Sequence, residues 1–328
     1  MIKRTIQTAI EARFFKGKTI VLLGARQVGK TTLLKQLEKE IAPIWINADD
    51  PQDRALLNNL TIDRAKALFG PGTLLFIDEA QRLDNTGLTI KLIHDNCQNI
   101  QIIATGSSSF ELNDRLKEAL TGRKRTFHLF PISISELINH SNGIEVNRNL
   151  EIRLLFGSYP EVISNPGEEK IILRELASDY LYKDVFSLQN IRKPNHLEKL
   201  LQALALQLGN EVSYRELATL TKLDKNTIER YILLLEEAFV IFKLPSFSRN
   251  LRTELTKAKK IYFIDNGIRN ALISQYQPLS LRNDVGALWE NFIISERLKL
   301  NSYNLSKNVN PFFWRTTQQQ EIDYLEVV

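Results

Sequence analysis

One stretch of eight residues constrains this chain more than any other. Residues 24–31 read Gly-Ala-Arg-Gln-Val-Gly-Lys-Thr and fit the pattern G-x-x-x-x-G-K-[ST] at every position. An apolar run, Thr19–Leu23, precedes them, and a helical pattern over 31–41 follows. Backbone N–H groups of such a loop point at an anion, and the helix N-terminus adds partial positive charge. The sequence therefore predicts a binding site for nucleotide phosphates.

The residues of this loop have distinct expected roles. We expect Lys30 to reach the β- and γ-phosphates and Thr31 to place its hydroxyl on Mg²⁺. A glycine-containing turn that binds nothing is the alternative, and the flanking strand and helix argue against it. The other residues expected to contact the nucleotide are Gly24, Ala25, Arg26, Gln27, Val28, Gly29 and Thr32.

A second signal is a buried strand that ends in two carboxylates. Residues 74–77 are all apolar, and Asp78 and Glu79 follow directly. Ligands of open α/β sheets bind at the carboxyl ends of strands. We expect Asp78 to hold Mg²⁺ through water and Glu79 to orient and polarise an attacking water molecule. Two solvated loop acids are the alternative.

Two further candidates are less specific. Hydroxyl residues follow the apolar-rich run 101–104, and Thr105 or Ser107 would hydrogen-bond the γ-phosphate or the water. Arg123 follows Gly122 and is a candidate to reach the γ-phosphate of a neighbouring subunit, which would imply a homo-oligomer. The alternatives are a Gly/Ser turn and a solvated basic turn.

Composition excludes several classes of protein. The 328 residues suggest two or three domains, and 43% hydrophobic with 25% charged residues is close to the average of soluble globular proteins. The single cysteine, Cys97, rules out an intrachain disulfide and a Cys-rich zinc cluster, and it suits a cytoplasmic location. We find no signal-peptide core and no apolar run near the length of a membrane span. The net charge of +5 permits nucleic acid as a partner without requiring it.

Apolar runs alternate with helical patterns over roughly the first 135 residues, which predicts a three-layer α/β domain. Besides the runs named above, 44–47 and 126–130 have the length and composition of buried strands. Residues 196–264 read as three helices followed by two strands, the element order of a winged helix. A helix at 286–300 and strands at 311–315 and 321–328 are expected further on.

The loop 24–31, the Asp78-Glu79 pair and the hydroxyl-ended strand together resemble the additional-strand, catalytic-glutamate class of P-loop ATPases, which includes AAA+ and signalling ATPases. The resemblance implies a parallel sheet with strands in the order 5-1-4-3-2, numbered along the chain. At closer range the chain resembles one prokaryotic family of AAA-type ATPases with a winged helix and a nuclease-like C-terminal domain of unknown function. The motifs that carry this resemblance are at 24–33, 47–51, 77–81, 104–108, 157–161, 262–267 and 314–323.

The resemblance implies four segments and a nucleotide. The segments are a P-loop ATPase core at 1–134, a helical lid at 135–190, a winged helix at 191–264 and a nuclease-like piece at 265–328 that looks incomplete. The nucleotide is expected to be ATP, bound with Mg²⁺ between core and lid, with Pro160 or Tyr159 near adenine. A simple helix-breaking turn is the alternative for those two residues.

These features lead us to expect a Mg²⁺-dependent, ATP-hydrolysing switch or motor that acts on DNA or a protein partner. One alternative is a nucleic-acid-binding module in which ATP only locks a conformation. The other is an ATP-coupled nuclease, if the natural chain continues past Val328. By resemblance, Glu290 and Asp323 would be its metal ligands, but that chemistry also needs a later Glu-x-Lys that these residues do not supply.

The candidate recognition helix argues against direct DNA binding. Residues 224–237 hold two basic and four acidic side chains, and a helix beside phosphates should not be net acidic. Its first turn could still read base edges, and a basic hairpin loop could contact the backbone. These residues are Lys225, Asn226 and Thr227 in the helix and Arg249, Arg252 and Lys257 in the loop.

Overall fold

A computed structural model describes residues 1–38, 42–107, 116, 119–180, 194–248, 259–316, 318 and 320–328. These residues form two compact units, 3–130 and 131–328. The basic hairpin loop with Arg249, Arg252 and Lys257 lies outside the described residues, as does the end of the helical pattern 31–41. The finer division into four segments stays a prediction.

The first unit is built on one five-stranded parallel sheet, as predicted. Its order is β2-β3-β4-β1-β5, which is the expected 5-1-4-3-2 read from the other edge. Every position of β1, β3 and β4 is buried, because helices cover both faces of a parallel sheet. The strands are β1 (Thr19–Leu23), β2 (Ile44–Asn47), β3 (Leu74–Asp78), β4 (Gln101–Gly106) and β5 (Lys124–His128).

The strand β5 begins two residues earlier than the apolar run 126–130 predicts. It pairs with β1 from Thr19 opposite Lys124 to Leu23 opposite His128. At a sheet edge, half-exposed polar residues can take part in the ladder, and an apolar run does not register them. The hydrogen bond from Leu129 N to Leu23 O, 2.7 Å long, keeps the chain beside β1 for one residue more.

One helix of this unit precedes β1, and the others lie between successive strands. Asp50 and Thr61 cap two of them, accepting hydrogen bonds from the backbone N–H of Gln52 and Arg64. The helices that the structure describes in this unit are Ile6–Glu11, Lys30–Leu37, Pro51–Asn58, Ile62–Leu68 and Thr86–Asn96, with a 3₁₀ turn at Ala80–Arg82. Helix Lys30–Leu37 starts at the end of the phosphate-loop motif, as the sequence requires.

The second unit begins with five helices. A capping box opens the first, because Ser133 and Glu136 satisfy each other's backbone N–H groups. These helices are Ile134–His140, Gly143–Arg148, Leu150–Phe156, Pro160–Ser164 and Glu169–Tyr180.

Three helices and a small antiparallel sheet follow in the described part of residues 194–263. The helices are Pro194–Leu206, Tyr214–Thr221 and Lys225–Glu237. Strands β6 (Glu211–Val212), β7 (Ile241–Pro245) and β8 (Lys259–Phe263) pair in the order β6-β8-β7. Helices Asn266–Leu272 and Val285–Tyr303 come next, and the antiparallel pair β9 (Asn310–Arg315) and β10 (Glu321–Val327) ends the described chain. No helix among the described residues is both long and apolar enough to cross a membrane.

A buried carboxylate joins the motifs at 157–161 and 262–267, two of those that carry the family resemblance. Asp265 accepts hydrogen bonds from the backbone N–H groups of Ser158 at 2.7 Å and Gly267 at 2.8 Å. Burial raises the pKa of Asp265, against the opposing effect of Lys299 and these N–H donors. A Cβ at Gly157 would lie 1.8 Å from the Asp265 carboxylate, so only glycine fits there. Both motifs therefore contribute to one packed junction.

The helix Val285–Tyr303 is tied to β10 by a second carboxylate, that of Glu326. It accepts hydrogen bonds from Arg297 at 2.6 Å, Asn301 at 2.7 Å and Tyr324 at 2.7 Å. Burial alone would raise the pKa of Glu326, but these three donors outweigh it and lower that pKa to about 2. The charged form is thus favoured in the folded state.

The substitution Glu326→Gln is expected to destabilise the second unit at pH 7 by about 1 kcal/mol. Because the folded pKa lies below the usual glutamate value of 4.5, the wild-type contribution is present above pH 4.5 and is lost as the pH falls towards 2. Urea unfolding at pH 7 and pH 3 should show the difference shrinking at the lower pH. Glu198→Gln, at an exposed helix position, is the control and should change neither value. If the difference in unfolding free energy between the wild type and Glu326→Gln grows on acidification, the stabilising role of the Glu326 carboxylate is contradicted.

Candidate functional site

The phosphate-loop motif adopts a tight curl between β1 and helix Lys30–Leu37. Gly29 has a φ of +96°, which favours glycine, and a Cβ at Gly24 would lie 2.2 Å from the carbonyl oxygen of Leu129. The guanidinium of Arg4 braces the loop, donating to Val28 O at 2.8 Å and Phe130 O at 2.6 Å. Both glycines of the motif are therefore required by the backbone itself.

Lys30 lies inside this curl. Its ammonium donates to the backbone carbonyls of Gly24 at 2.8 Å and Ala25 at 2.9 Å, and the residue is buried. Thr31 and Thr32 begin the helix and are exposed, as is Gln27, whereas Val28 belongs to the core. The loop thus has a positive charge at its centre and backbone N–H groups at the start of a helix, which is the arrangement that binds phosphate.

The carboxylate of Asp78 connects the loop to the centre of the sheet. Its Oδ2 accepts a hydrogen bond from the Thr31 hydroxyl at 2.7 Å, and its Oδ1 accepts one from the Thr105 hydroxyl. Parallel pairing explains this meeting, since β3, β4 and β1 all end at the same edge of the sheet. The structure therefore brings together three residues that the sequence places 27 or more positions apart.

The oxygen atoms of Thr31 and Asp78 fit a Mg²⁺ site. Mg²⁺ prefers oxygen ligands and usually keeps several water molecules. The hydroxyl and carboxylate oxygens are 2.7 Å apart, so Thr31 would bind the ion directly and Asp78 would hold it through a water ligand. No group of three or more His, Cys, Asp or Glu side chains suited to a metal ion occurs among the described residues, so substrate or water oxygens would have to complete the shell.

Glu79 follows Asp78 with an unusual backbone. Its φ of +51° lies in the left-handed region, which turns the chain sharply at the end of β3. Its N–H points to the Thr105 hydroxyl at 3.2 Å and the Asp78 Oδ1 at 3.2 Å. Thr105 is therefore bound to both acidic residues of the motif.

Gln81 is a polar residue of the site that the sequence reasoning missed. Its side-chain amide lies 2.5 Å from Glu79 Oε2 and 3.4 Å from Ser107 Oγ, so Ser107 also belongs to this network. The signal was its place in the run Asp78-Glu79-Ala80-Gln81, two residues after the predicted water-orienting carboxylate.

Arg123 does not join this group within one chain. It directly precedes β5, whose first residue pairs with Thr19 at the start of β1. The phosphate loop follows the other end of β1, roughly 15 Å away at about 3.3 Å per strand residue. Arg123 pairs with Asp95 at 2.9 Å. The pKa of Asp95 is lowered, mainly by its hydrogen bond with His94 and to a smaller extent by the one with Arg123, although burial acts in the opposite direction. Its role in a neighbouring subunit stays a prediction.

The second unit holds the other predicted site residues. Pro160 begins the helix Pro160–Ser164, and Tyr159 before it is 1% exposed. Their contact with adenine stays a prediction.

Glu290 and Asp323, the candidate nuclease ligands, meet around one ammonium group. Lys260 Nζ lies 3.3 Å from Glu290 Oε1, 2.9 Å from Asp323 Oδ1 and 2.5 Å from Glu321 Oε1. Burial would lower the pKa of Lys260, but the three carboxylates outweigh it and raise that pKa. Tyr262 also donates to Glu290 at 2.6 Å. A side chain of the protein itself thus neutralises part of the charge of these carboxylates.

Comparisons with known proteins agree with this geometry. The model of an AAA domain matches residues 16–138, a domain of unknown function (DUF8612) matches 147–279, and another (DUF4143) matches 285–327. An uncharacterized protein of Methanocaldococcus jannaschii is 28% identical over 98% of this chain and 75% of its own length. An uncharacterized protein of Mycobacterium tuberculosis is 26% identical over 99% of this chain and 71% of its own.

A solved structure supports the fold. A Walker-type ATPase of Pyrococcus abyssi matches with a TM-score of 0.57 and 18% identity, over 83% of this chain and 96% of its own. Residues 16–138 therefore match an AAA domain and have the fold of a P-loop ATPase, and residues 285–327 match a domain of unknown function. The resemblance to prokaryotic AAA-type P-loop ATPases is confirmed.

The close approach of Gly24 to Leu129 yields a test of the loop. Gly24→Ala would force a Cβ against a backbone carbonyl 2.2 Å away, and we expect it to cost about 1–3 kcal/mol of stability. The melting temperature of the full chain, measured by thermal unfolding, shows the loss of stability. Gly70→Ala is the matched control, because a Cβ there meets nothing within 4 Å. Equal melting temperatures for the two variants would refute the proposed crowding.

Proposed function

We propose that this protein binds ATP with Mg²⁺ and hydrolyses it as a switch or motor. The observation that carries the proposal is the joint contact of Thr31 and Thr105 with the Asp78 carboxylate, directly before Glu79. This contact supports the proposal, because the phosphate loop, the Thr31 and Asp78 oxygens and the Glu79 carboxylate then lie at one edge of the sheet.

Each residue has a chemical role in this proposal. Lys30 neutralises charge on the β- and γ-phosphates, and the loop N–H groups hold their oxygens. Thr31 and Asp78 would hold Mg²⁺, and this ion would neutralise the charge that develops on the phosphate oxygens. Glu79 accepts a hydrogen bond from the attacking water and orients it in line with the bond that breaks.

The proposed reaction is simple hydrolysis. The water oxygen forms a bond to the γ-phosphorus, and the bond from that phosphorus to the β–γ bridging oxygen breaks. Its electron pair leaves with ADP, and the proton lost by the water passes to the phosphate product. Positioning and charge stabilisation therefore supply the rate enhancement.

Two substitutions separate binding from chemistry. Lys30→Ala should weaken ATP binding, because the loop loses its central positive charge, whereas Glu79→Gln should retain binding and lower kcat by at least about 100-fold. Steady-state ATP hydrolysis and equilibrium binding of a fluorescent ATP analogue measure the two effects.

Lys35→Ala, at an exposed position of the same helix, is the control for Lys30→Ala. Unchanged nucleotide affinity in Lys30→Ala would refute the site. Unchanged turnover in Glu79→Gln would refute the role of the carboxylate.

The partner of this ATPase is proposed from the second unit. In the described part of residues 194–263, three helices are followed by the paired strands β7 and β8, the element order on which the winged-helix interpretation rests. Lys225, in the first turn of the candidate recognition helix, is 3.4 Å from Glu229, and Lys243 is 2.7 Å from Glu236. Acidic neighbours thus already balance two of the basic groups, which favours a protein partner over duplex DNA.

Turnover in the presence of duplex DNA tests this choice. We expect ATP hydrolysis to be the same with and without duplex DNA at low salt, since the candidate helix carries more acidic than basic residues. A gel shift over a range of salt concentrations is the companion measurement. Stimulated turnover with a salt-dependent shift, weakened in Lys225→Glu, would favour DNA instead.

A further inference from the structure

Gln81 is the residue on which this inference rests. Its amide nitrogen donates to Glu79 Oε2 at 2.5 Å and lies 3.4 Å from the hydroxyl of Ser107, just beyond β4. Gln81 is 5% exposed, so water competes little for its amide. A buried donor bound to a carboxylate makes one of the stronger hydrogen bonds in proteins.

The backbone that carries Gln81 is held on both sides. The Thr86 hydroxyl donates to the carbonyl oxygens of Ala80 at 2.9 Å and Leu83 at 3.1 Å. Arg82 N donates to Glu79 O at 2.9 Å, which closes the 3₁₀ turn. The amide therefore projects from a rigid turn, which is what accurate placement of a partner side chain requires.

We propose that Gln81 is a positioning residue for the water-orienting carboxylate of Glu79, an inference that rests on the proposed ATPase function. The Gln81 amide engages one oxygen, Oε2, and fixes the rotation of the carboxylate. The second oxygen, Oε1, then accepts the hydrogen bond of the attacking water. Glu79 would otherwise rotate about its side-chain torsions, and small misplacement of a catalytic group lowers rate steeply.

The contact with Ser107 adds a link to the neighbouring strand. Ser107 follows β4, and Thr105 within that strand is bound to Asp78. Gln81 thus lies between the end of β4 and Glu79, so the placement of the carboxylate depends on two strand ends. A residue that served packing alone would have no need of two polar contacts.

Gln81→Met tests the proposal, because methionine has a similar length and no N–H donor. We expect kcat for ATP to fall about 10- to 100-fold while the affinity for a fluorescent ATP analogue stays unchanged. In Gln81→Glu we expect kcat to fall further, since this substitution places a second carboxylate against Glu79. This second variant also keeps the test valid if Gln81→Met fails to fold, which circular dichroism would show.

A double-substitution cycle distinguishes positioning from packing. If Gln81 acts through Glu79, adding Gln81→Met to Glu79→Gln should lower kcat by much less than it does in the wild type. A purely structural residue would lower both backgrounds by the same factor. Gln98→Met, exposed and in the same unit, is the control for the substitution itself.

The outcomes separate this inference from the proposed function. If the wild type shows no turnover, the proposed function fails and the inference with it. If the wild type turns over and Gln81→Met has wild-type or higher kcat, only the inference fails. Weaker nucleotide binding with unchanged kcat, or equal effects in both backgrounds of the cycle, would also overturn it.

Discussion

The site of the first unit depends on the hydrogen bonds that the Asp78 carboxylate accepts. It accepts hydrogen bonds from Thr31 of the phosphate loop and Thr105 of β4, and its own strand lies between β2 and β4. A carboxylate that is 8% exposed must have its oxygens paired, and these two hydroxyls provide the pairing. The same contact that satisfies a buried charge therefore holds the loop against the strand that carries Glu79. Stability and site geometry here have one physical cause.

The second unit uses polar groups differently. Asp265 is buried and accepts hydrogen bonds from the backbone N–H groups of Ser158 and Gly267, so the motifs at 157–161 and 262–267 contribute to packing. Around Lys260, three carboxylates from the helix Val285–Tyr303 and from β10 share one ammonium group. Such a cluster is costly to break, because removing the cation would leave carboxylates close together without compensation. A sequence motif alone would not distinguish this internal ion cluster from a set of metal ligands.

Much of the fold could be predicted because its signals are local. The buried strands are apolar runs, the phosphate loop has a fixed spacing, and the sheet order followed from a resemblance that the structure confirms. The prediction was less accurate for β5, where polar residues at a sheet edge take part in the ladder. It missed Gln81, since the position of Gln81 two residues after Glu79 does not by itself show that the amide meets that carboxylate and a hydroxyl 26 residues away.

The sequence by itself determined that a nucleotide-phosphate loop follows a buried strand and that two carboxylates end another. These are properties of residue type and spacing, which local backbone geometry translates directly into structure. Only the tertiary structure decided which side chains meet: Thr31 and Thr105 on Asp78, Gln81 on Glu79, and Glu290 and Asp323 on Lys260. The reason is that these contacts join residues from different strands and helices or depend on a left-handed turn, so strand register and packing choose the partners.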